Sequence, residues 1–320
     1  MRTVLVTGGA GYIGSHVCKA LAEKGFKPVV VDDLSAGRKE RVQWGPLEIA
    51  DVRDGGRLRE IMKAHKPIAV MHFAALIDVA ESVRNPLPTY DVNVGGALAV
   101  VGAVKEVGVR HVVFSSTAAV YGIPEISPIA ETAATKPINP YGHSKLMVEQ
   151  MLADVHAADG LTYAALRYFN AAGATPECGL GYQRPKATHL VPLVMQAVLG
   201  KGALTVYGTD YPTADGTAVR DYIHVADLAE AHVMALETLV AGAAPMTLNL
   251  GASRGTSVRE MVDVVERVTG RKMPMVLGER RAGDPPELVA DARRAKDVLG
   301  WMPTRSDVER IVGDEWVFSR

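Results

Sequence analysis

Two stretches of this sequence combine residue types and spacings that could do chemistry. The first runs from Val4 to His16, VLVTGGAGYIGSH. Gly9, Gly11 and Gly14 fit G-x-G-x-x-G, and Gly8, Gly11 and Gly14 fit G-x-x-G-x-x-G. An apolar strand-like run precedes them and a helix-like run follows, the context a pyrophosphate-binding turn needs. One glycine makes the tight turn, another lets the backbone approach the pyrophosphate, and the third lets helix and strand pack closely. The helix N-terminus favours the anion. Asp32 ends the next strand-like run, 18 residues after Gly14. A carboxylate there accepts hydrogen bonds from the adenosine ribose and repels a 2′-phosphate, so NAD is expected rather than NADP. Arg38 and Lys39 just beyond weaken that preference slightly.

The second stretch is Tyr141-Gly142-His143-Ser144-Lys145. Tyr141 and Lys145 are four apart and share a face on a helix, and Pro140 suits its first turn. Y-x-x-x-K alone is common on surface helices. It gains weight here because it follows a dinucleotide loop and the run FSSTAAVYG, Phe114–Gly122. A free phenol titrates near ~10, so a base working at neutral pH must drop by roughly 3 units, about 4 kcal/mol. A nearby ammonium and a positive nicotinamide ring supply that. Tyr141 is therefore expected to be the general base. Lys145 would lower its pKa and hold the nicotinamide ribose, and Thr117 would hydrogen-bond the reacting hydroxyl.

These residues need a scaffold, and the pattern supplies one. Short apolar runs (Thr3–Val6, Pro28–Val31, Leu47–Asp51, Ile68–Phe73, His111–Phe114, Tyr163–Leu166) alternate with helix-like stretches at Gly11–Lys24, Leu58–His65, Ala97–Val107 and Ser144–His156. That alternation predicts an α/β fold, a Rossmann-type doubly wound parallel sheet. After about residue 170 glycine and proline become denser, which suggests a smaller α/β substrate-binding domain. The expected division is 1–170 for NAD and mainly 171–320 for substrate, with a segment near 219–250 returning to the sheet.

Composition narrows the partners. The chain has 320 residues, 35 Lys+Arg against 36 Asp+Glu, and a net charge of −1. That balance gives no reason to expect nucleic acid or an anionic membrane surface. No apolar run approaches ~20 residues, so no membrane span is expected. Two distant cysteines, Cys18 and Cys178, form no disulfide framework; with no signal peptide before the first strand, a cytoplasmic location is expected. No H-e-x-x-H pattern or cysteine pair at ligand spacing occurs, so no metal is predicted.

GGAGYIG, HFAA (His72–Ala75), FSSTAAVYG, PYGHSK, LRYFNAAGA (Leu166–Ala174) and VRDYIHV (Val219–Val225) follow one another along the chain. In that order they resemble the UDP-galactose 4-epimerases, extended short-chain dehydrogenase/reductases, over nearly the whole length. YGTDYPTADGTAVRDYIHVADLA (Tyr207–Ala229) strengthens the likeness. The resemblance implies interconversion of UDP-galactose and UDP-glucose. Tyr141 would take the 4-hydroxyl proton while hydride passes from C4 to NAD and then returns to the sugar's other face. It implies that Tyr12 and Ile13 contact NAD, that Asp51 and Val52 face the adenine, and that Phe73, Ala74 and Ala75 line the cofactor. Asn93 would support the cofactor site and Phe169 would flank the nicotinamide. Asn170, Arg220 and Arg281 would hold the sugar nucleotide diphosphate, Leu190 and Tyr207 would help enclose its uridine end, and His189 and Asp284 would also bind substrate. Leu288 stands at the gate against the sugar's C2 group; being smaller than tyrosine, it would also admit UDP-N-acetylhexosamines. The helices at Ala97–Val107 and Ser144–His156 would pair with a second copy in a homodimer.

The departures matter as well. Ile77 stands where many relatives carry lysine, which removes one phosphate contact. Thr117 replaces the more frequent serine but keeps the hydroxyl. Ala118-Ala119 stand where sugar-nucleotide dehydratases resemble one another in carrying Asp-Glu, and alanine cannot serve as the acid and base of an elimination. A different NAD-dependent nucleotide-sugar epimerase or dehydratase, or a non-catalytic NAD-binding regulator, remain the alternatives.

Overall fold

The computed structural model describes residues 2–183, 187–281 and 284–320. Its strands are β1 (Arg2–Thr7), β2 (Phe26–Asp32), β3 (Leu47–Ile49), β4 (Ala69–His72), β5 (His111–Thr117), β6 (Thr162–Tyr168), β7 (Asn170–Ala172), β8 (Leu204–Tyr207), β9 (Val219–His224), β10 (Met246–Leu250), β11 (Gly255–Ser257), β12 (Met275–Gly278) and β13 (Glu287–Leu288). Its helices are α1 (Tyr12–Glu23), α2 (Gly55–His65), α3 (Val79–Arg84), α4 (Pro86–Tyr90), α5 (Gly96–Val107), α6 (Pro140–Asp159), α7 (Leu190–Val198), α8 (Val225–Val240), α9 (Val258–Thr269), α10 (Arg293–Leu299) and α11 (Val308–Ser319). A π turn, Asp91–Gly95, joins α4 to α5, and a 3-10 turn, Ala118–Tyr121, follows β5.

The chain divides into two compact units. The first comprises Met1–Gly122, Thr135–Arg167 and Ala229–Leu248, and the second Ile123–Ala134, Tyr168–Leu228 and Asn249–Arg320. A seven-stranded sheet in the order β10-β6-β5-β4-β1-β2-β3 dominates the first. β1 pairs in parallel with β2 and β4, as β2 does with β3 and β4 with β5. This is the α/β Rossmann architecture expected from the alternating runs. Its strands read as continuous Val, Leu and Ala because helices cover both faces. Leu5, Val29, Val31, Val70, Val112 and Phe114 from the sheet pack with Leu58, Met62, Val100, Val104 and Leu152 from helices.

The helices begin and end for local reasons. Asn139 caps α6 by accepting from the Gly142 amide at 2.8 Å, Pro140 fills the first position, and Gly160 (φ 73) closes it. That cap starts α6 four residues before the expected Ser144. Joined through the π turn, Pro86–Val107 forms a 22-residue helical run apolar enough to cross a bilayer by composition. Ala97, Val100, Val101, Ala103 and Val104 spend that apolarity on the core of the first unit. In the second unit β9 pairs with β7, β11 and β13, and β8 pairs with β12. α7, α9 and α11 build its core around Val194, Val265, Ile311 and Trp316.

Candidate active site

The strand order sets where the loops of the first unit diverge. The chain passes from β1 to β2 and β3 on one side, then returns to lay β4 on the other side of β1. Such a reversal opens a crevice at the carboxyl ends of the strands. There the glycines answer to close approach. Gly8 has φ +71, and a Cβ on it would lie 2.6 Å from the Ala74 amide nitrogen. A Cβ on Gly14 would lie 2.3 Å from the Gly8 carbonyl oxygen. Gly11 caps α1 with no side chain to engage its first amides, and Tyr12 and Ile13 open the helix.

The other candidate cofactor residues line the same edge. Asp32, buried at the end of β2, accepts from the Ala10 amide at 3.0 Å and the Leu34 amide at 2.9 Å. Burial pushes its carboxyl up, and those amides oppose the shift. Asp51 accepts from the amide and Nε of Arg53 at 2.8 and 2.9 Å, and the arginine holds its carboxyl below the usual range. Val52 is buried where a Cβ on Gly96 would meet its Cγ2 at 2.8 Å. The Phe73 amide donates to Thr7 O at 3.0 Å, so Phe73-Ala74-Ala75 leave β4 alongside the glycine loop. Ile77 follows in that loop, partly buried. Asn93 stands on the π turn, a distortion that often marks functional sites. Its Oδ1 accepts from the Leu76 amide at 2.8 Å, and its Nδ2 donates to Ser144 Oγ at 3.0 Å. Ser144 Oγ in turn donates to Tyr141 O at 2.7 Å, tying the β4 loop to the first turn of α6.

Tyr141, Lys145 and Thr117 come together around β5 and α6. The Lys145 ammonium lies 6.0 Å from the Tyr141 ring centroid. It is 2% exposed, donates to Ser115 O at 2.8 Å and lies 4.9 Å from the centroid of Phe114. Burial lowers its pKa to about 7, and Glu149, one helical turn on, works against that shift. Thr117 Oγ1 accepts from the Ala119 amide at 3.1 Å and so caps the 3-10 turn. His72, buried at the end of β4, is stacked 6.0 Å from Phe114. Burial, aided by Lys145, pushes its pKa down to about 3, so it stays neutral near physiological pH.

The second unit gathers the candidate substrate residues on and beside β9. Arg220 Nη1 donates to Val219 O at 2.7 Å, and Nη2 reaches Asp284 Oδ1 and Pro285 O. Leu288 on β13 is in register with Arg220. Asn170 on β7 donates through Nδ2 to Asp221 O at 3.0 Å. The Arg281 guanidinium stands 4.0 Å above the Tyr207 ring centroid. His189 precedes Leu190 at the start of α7, its ring 5.9 Å from that of Tyr182. Phe169, just before β7, donates its amide to Leu250 O at 3.4 Å.

Sequence reasoning passed over two buried acids. Asp221, fully buried beside Arg220, accepts from the amides of Ala252, Ser253 and Ala290 at 2.7, 3.0 and 3.1 Å. Burial pushes its carboxyl up to about 7. It fastens two loops to the strand that carries Arg220, and a lone aspartate in a strand carries no periodic signal of such a role. Glu149 lies four residues after Lys145, a spacing that was visible in the sequence.

The family model described as the NAD dependent epimerase/dehydratase family matches residues 4–251. The chain belongs to this family. Among named relatives, the UDP-glucose 4-epimerase of Rhizobium leguminosarum bv. trifolii is 50% identical over 98% of this chain and 96% of its own length. That of Azospirillum brasilense is 52% identical over 97% and 89% respectively. Among solved structures, the UDP-glucose 4-epimerase from Brucella ovis in complex with NAD is 48% identical. It superposes with a TM-score of 0.97 over 99% of this chain and 98% of its own. The family match spans the glycine loop, Tyr141, Lys145 and Arg220. Arg281, Asp284 and Leu288 lie beyond it but within the reach of these nearly full-length relatives.

Proposed function

We propose that the chain is a UDP-glucose 4-epimerase that interconverts UDP-galactose and UDP-glucose with tightly bound NAD. One observation carries the reading: buried Lys145, anchored on Ser115 O, lies beside Tyr141 at the carboxyl edge of a dinucleotide-type sheet. The relatives that bear this name match nearly the whole chain, and one is described with NAD.

The residues of the first unit fit that cofactor. The side-chain-free turn at Gly8, Gly11 and Gly14, with Tyr12 and Ile13, suits a pyrophosphate at the start of α1. Asp32 suits the adenosine ribose, Asp51 and Val52 the adenine, and Phe73, Ala74, Ala75 and Asn93 the stretch between. Lys145 suits the nicotinamide ribose. When bound, NAD accepts a hydride from C4 of the hexose and gives one back.

The chain moves the proton and holds the sugar. Tyr141 Oη takes the 4-hydroxyl proton and later returns it, Lys145 stabilises the phenolate, and Thr117 Oγ1 orients the hydroxyl. Arg220 and Arg281 clamp the diphosphate with forked donors, with Asn170 beside them. Leu190 and Tyr207 enclose the uridine end, with His189 and Asp284 also on the substrate side. A fixed nucleotide and an untethered hexose let the sugar present either face. Ala118-Ala119 supply no acid or base, so the chemistry stops at epimerisation. In this reading the first unit serves the cofactor and the second the sugar nucleotide.

The purified protein should convert UDP-galactose to UDP-glucose without added NAD, followed by coupled oxidation of the UDP-glucose formed. Protein that retains NAD yet turns over no UDP-sugar would point instead to a binding regulator. Leu288, smaller than the tyrosine that would close the gate against the C2 group, favours a second activity on UDP-N-acetylhexosamines. Leu288→Tyr should suppress that activity selectively. We also assign a homodimer to α5 and α6, whose Leu98 and Met147 are exposed. Leu98→Glu with Met147→Glu should halve the mass seen by sedimentation. Two cysteines suit a reducing cytoplasm.

A further inference from the structure

Behind Lys145 the first unit holds a buried polar cluster that the chemistry above leaves unused. Glu149 on α6 and Arg167 on β6 are each 7% exposed. Arg167 Nε donates to the two carboxylate oxygens of Glu149 at 2.9 and 3.2 Å, and Nη2 adds a further bond. Arg167 Nη1 donates to Tyr121 Oη at 3.0 Å, and the guanidinium lies 5.0 Å from the Tyr121 ring centroid. Ser116 Oγ donates to Glu149 Oε1. Ser116 and Tyr121 therefore bracket Thr117 and the short 3-10 turn after it. The same carboxylate belongs to the helical turn that follows Lys145.

A buried ion pair is a weak source of stability, because desolvating both charges costs about as much as their attraction returns. An apolar pair of similar volume would hold β5, β6 and α6 together as well. What an apolar pair cannot do is bond both ends of the Thr117 segment and place a charge one turn from a buried ammonium. We propose that the Glu149–Arg167 pair is a positioning device: it fixes Thr117 against α6 and sets the charge on Lys145. Its catalytic consequence rests on the epimerase reading.

The groups around Lys145 make the electrostatic part specific. On α6 they are Tyr141 and Glu149, with His143 turned to solvent. β5 offers the Phe114 ring and the Ser115 carbonyl, β4 offers neutral His72, and the 3-10 turn offers Tyr121. α4 brings only Tyr90. The charges of α3, Glu81 and Arg84, pair with each other at the surface, and Asp91 of the π turn is bonded to Arg53. Glu149 is thus the acid nearest the ammonium, and Arg167 is what tempers it.

The test titrates Lys145 in NAD-loaded protein carrying 13C-labelled lysine, its signal assigned by its loss in Lys145→Met. Glu149→Gln leaves the arginine charge uncompensated and should move the titration down by about one unit, while Arg167→Met should move it up by about one unit. In both, kcat on UDP-galactose should fall about tenfold or more while KM stays within about twofold, since only the reacting geometry is disturbed. A merely structural pair would behave otherwise: either variant would let water in, and Lys145 would rise toward its ordinary value in both. Shifts in the same direction, or none, overturn the proposal. Should a single variant not fold, Glu149→Met with Arg167→Met takes its place. There a Lys145 titration moved down by loss of the nearer carboxylate, with lowered kcat, supports the proposal, and an unmoved or raised titration, or full kcat, overturns it. A parent protein that binds NAD but never turns over UDP-galactose would remove the epimerase reading alone. The opposite shifts of Lys145 would still judge the pair.

Discussion

Tyr141 is a weak base by itself, and its neighbours are what give it a role. The Lys145 ammonium, 2% exposed and anchored by one carbonyl, is a charge that water screens poorly. Removing the phenolic oxygen while keeping the ring isolates its share. Tyr141→Phe should lower kcat by about 10²–10⁴, the usual worth of a positioned acid–base group, with KM for UDP-galactose little changed. A variant of near-normal turnover would sink the assignment. Glycine chemistry makes an equally sharp residue-scale case. A Cβ at position 14 would sit 2.3 Å from a backbone oxygen, which no rotamer change relieves. Gly14→Ala should therefore open the β1–α1 turn, and the purified protein should carry far less NAD when its nucleotide is released and quantified. Unchanged NAD content would show that the loop yields without losing the cofactor.

At the scale of elements, α6 is the part on which most depends, since its first two turns present Tyr141 and Lys145. Its start is held by two side chains, Asn139, bonded to the Gly142 amide, and Ser82, whose Oγ accepts from the Tyr141 amide at 3.3 Å. Asn139→Ala should cost about 1 kcal/mol of stability. It should also lower kcat through fraying at Tyr141, measured by thermal melting beside steady-state kinetics. Normal kcat with a lowered melting temperature would show that Ser82 and packing hold the first turn. The sequence made the sheet and its longer helices legible because buried parallel strands write themselves as runs such as VLVT and VVV. Elements held by pairing instead of pattern stayed hidden. β13 is two residues long and exists because Glu287 and Leu288 pair with Val219 and Arg220. α11 hides a helical stripe, Val308, Ile311, Val312 and Trp316, behind an interior glycine, Gly313. The candidate site divides in the same way. Contiguous motifs exposed the glycine loop and Tyr141–Lys145, whereas Asp221 and Arg167 act through partners far away in sequence.

For the whole molecule, the balance of charge conceals buried acids whose ionisation opposes the fold. Glu315 on α11 is 2% exposed in the second unit, and its Oε2 has no hydrogen-bond partner among the described residues. Burial raises its pKa to about 8. In the unfolded chain a glutamate titrates near ~4.3. Between those values the folded protein keeps a proton that the unfolded chain has lost. Stability therefore falls as pH rises through that window and recovers when the solution is acidified. Glu315→Gln keeps the shape and removes the ionisation. Its melting temperature should match the parent's at pH 3, where the side chain is almost wholly uncharged in both states. By pH 8 it should exceed the parent's by several degrees. Comparing the two proteins at each pH cancels every other titrating group, including Lys145, whose lowered pKa pulls stability the opposite way above pH 7. An equal difference at both pH values would trace the effect to packing around the amide and not to the buried charge.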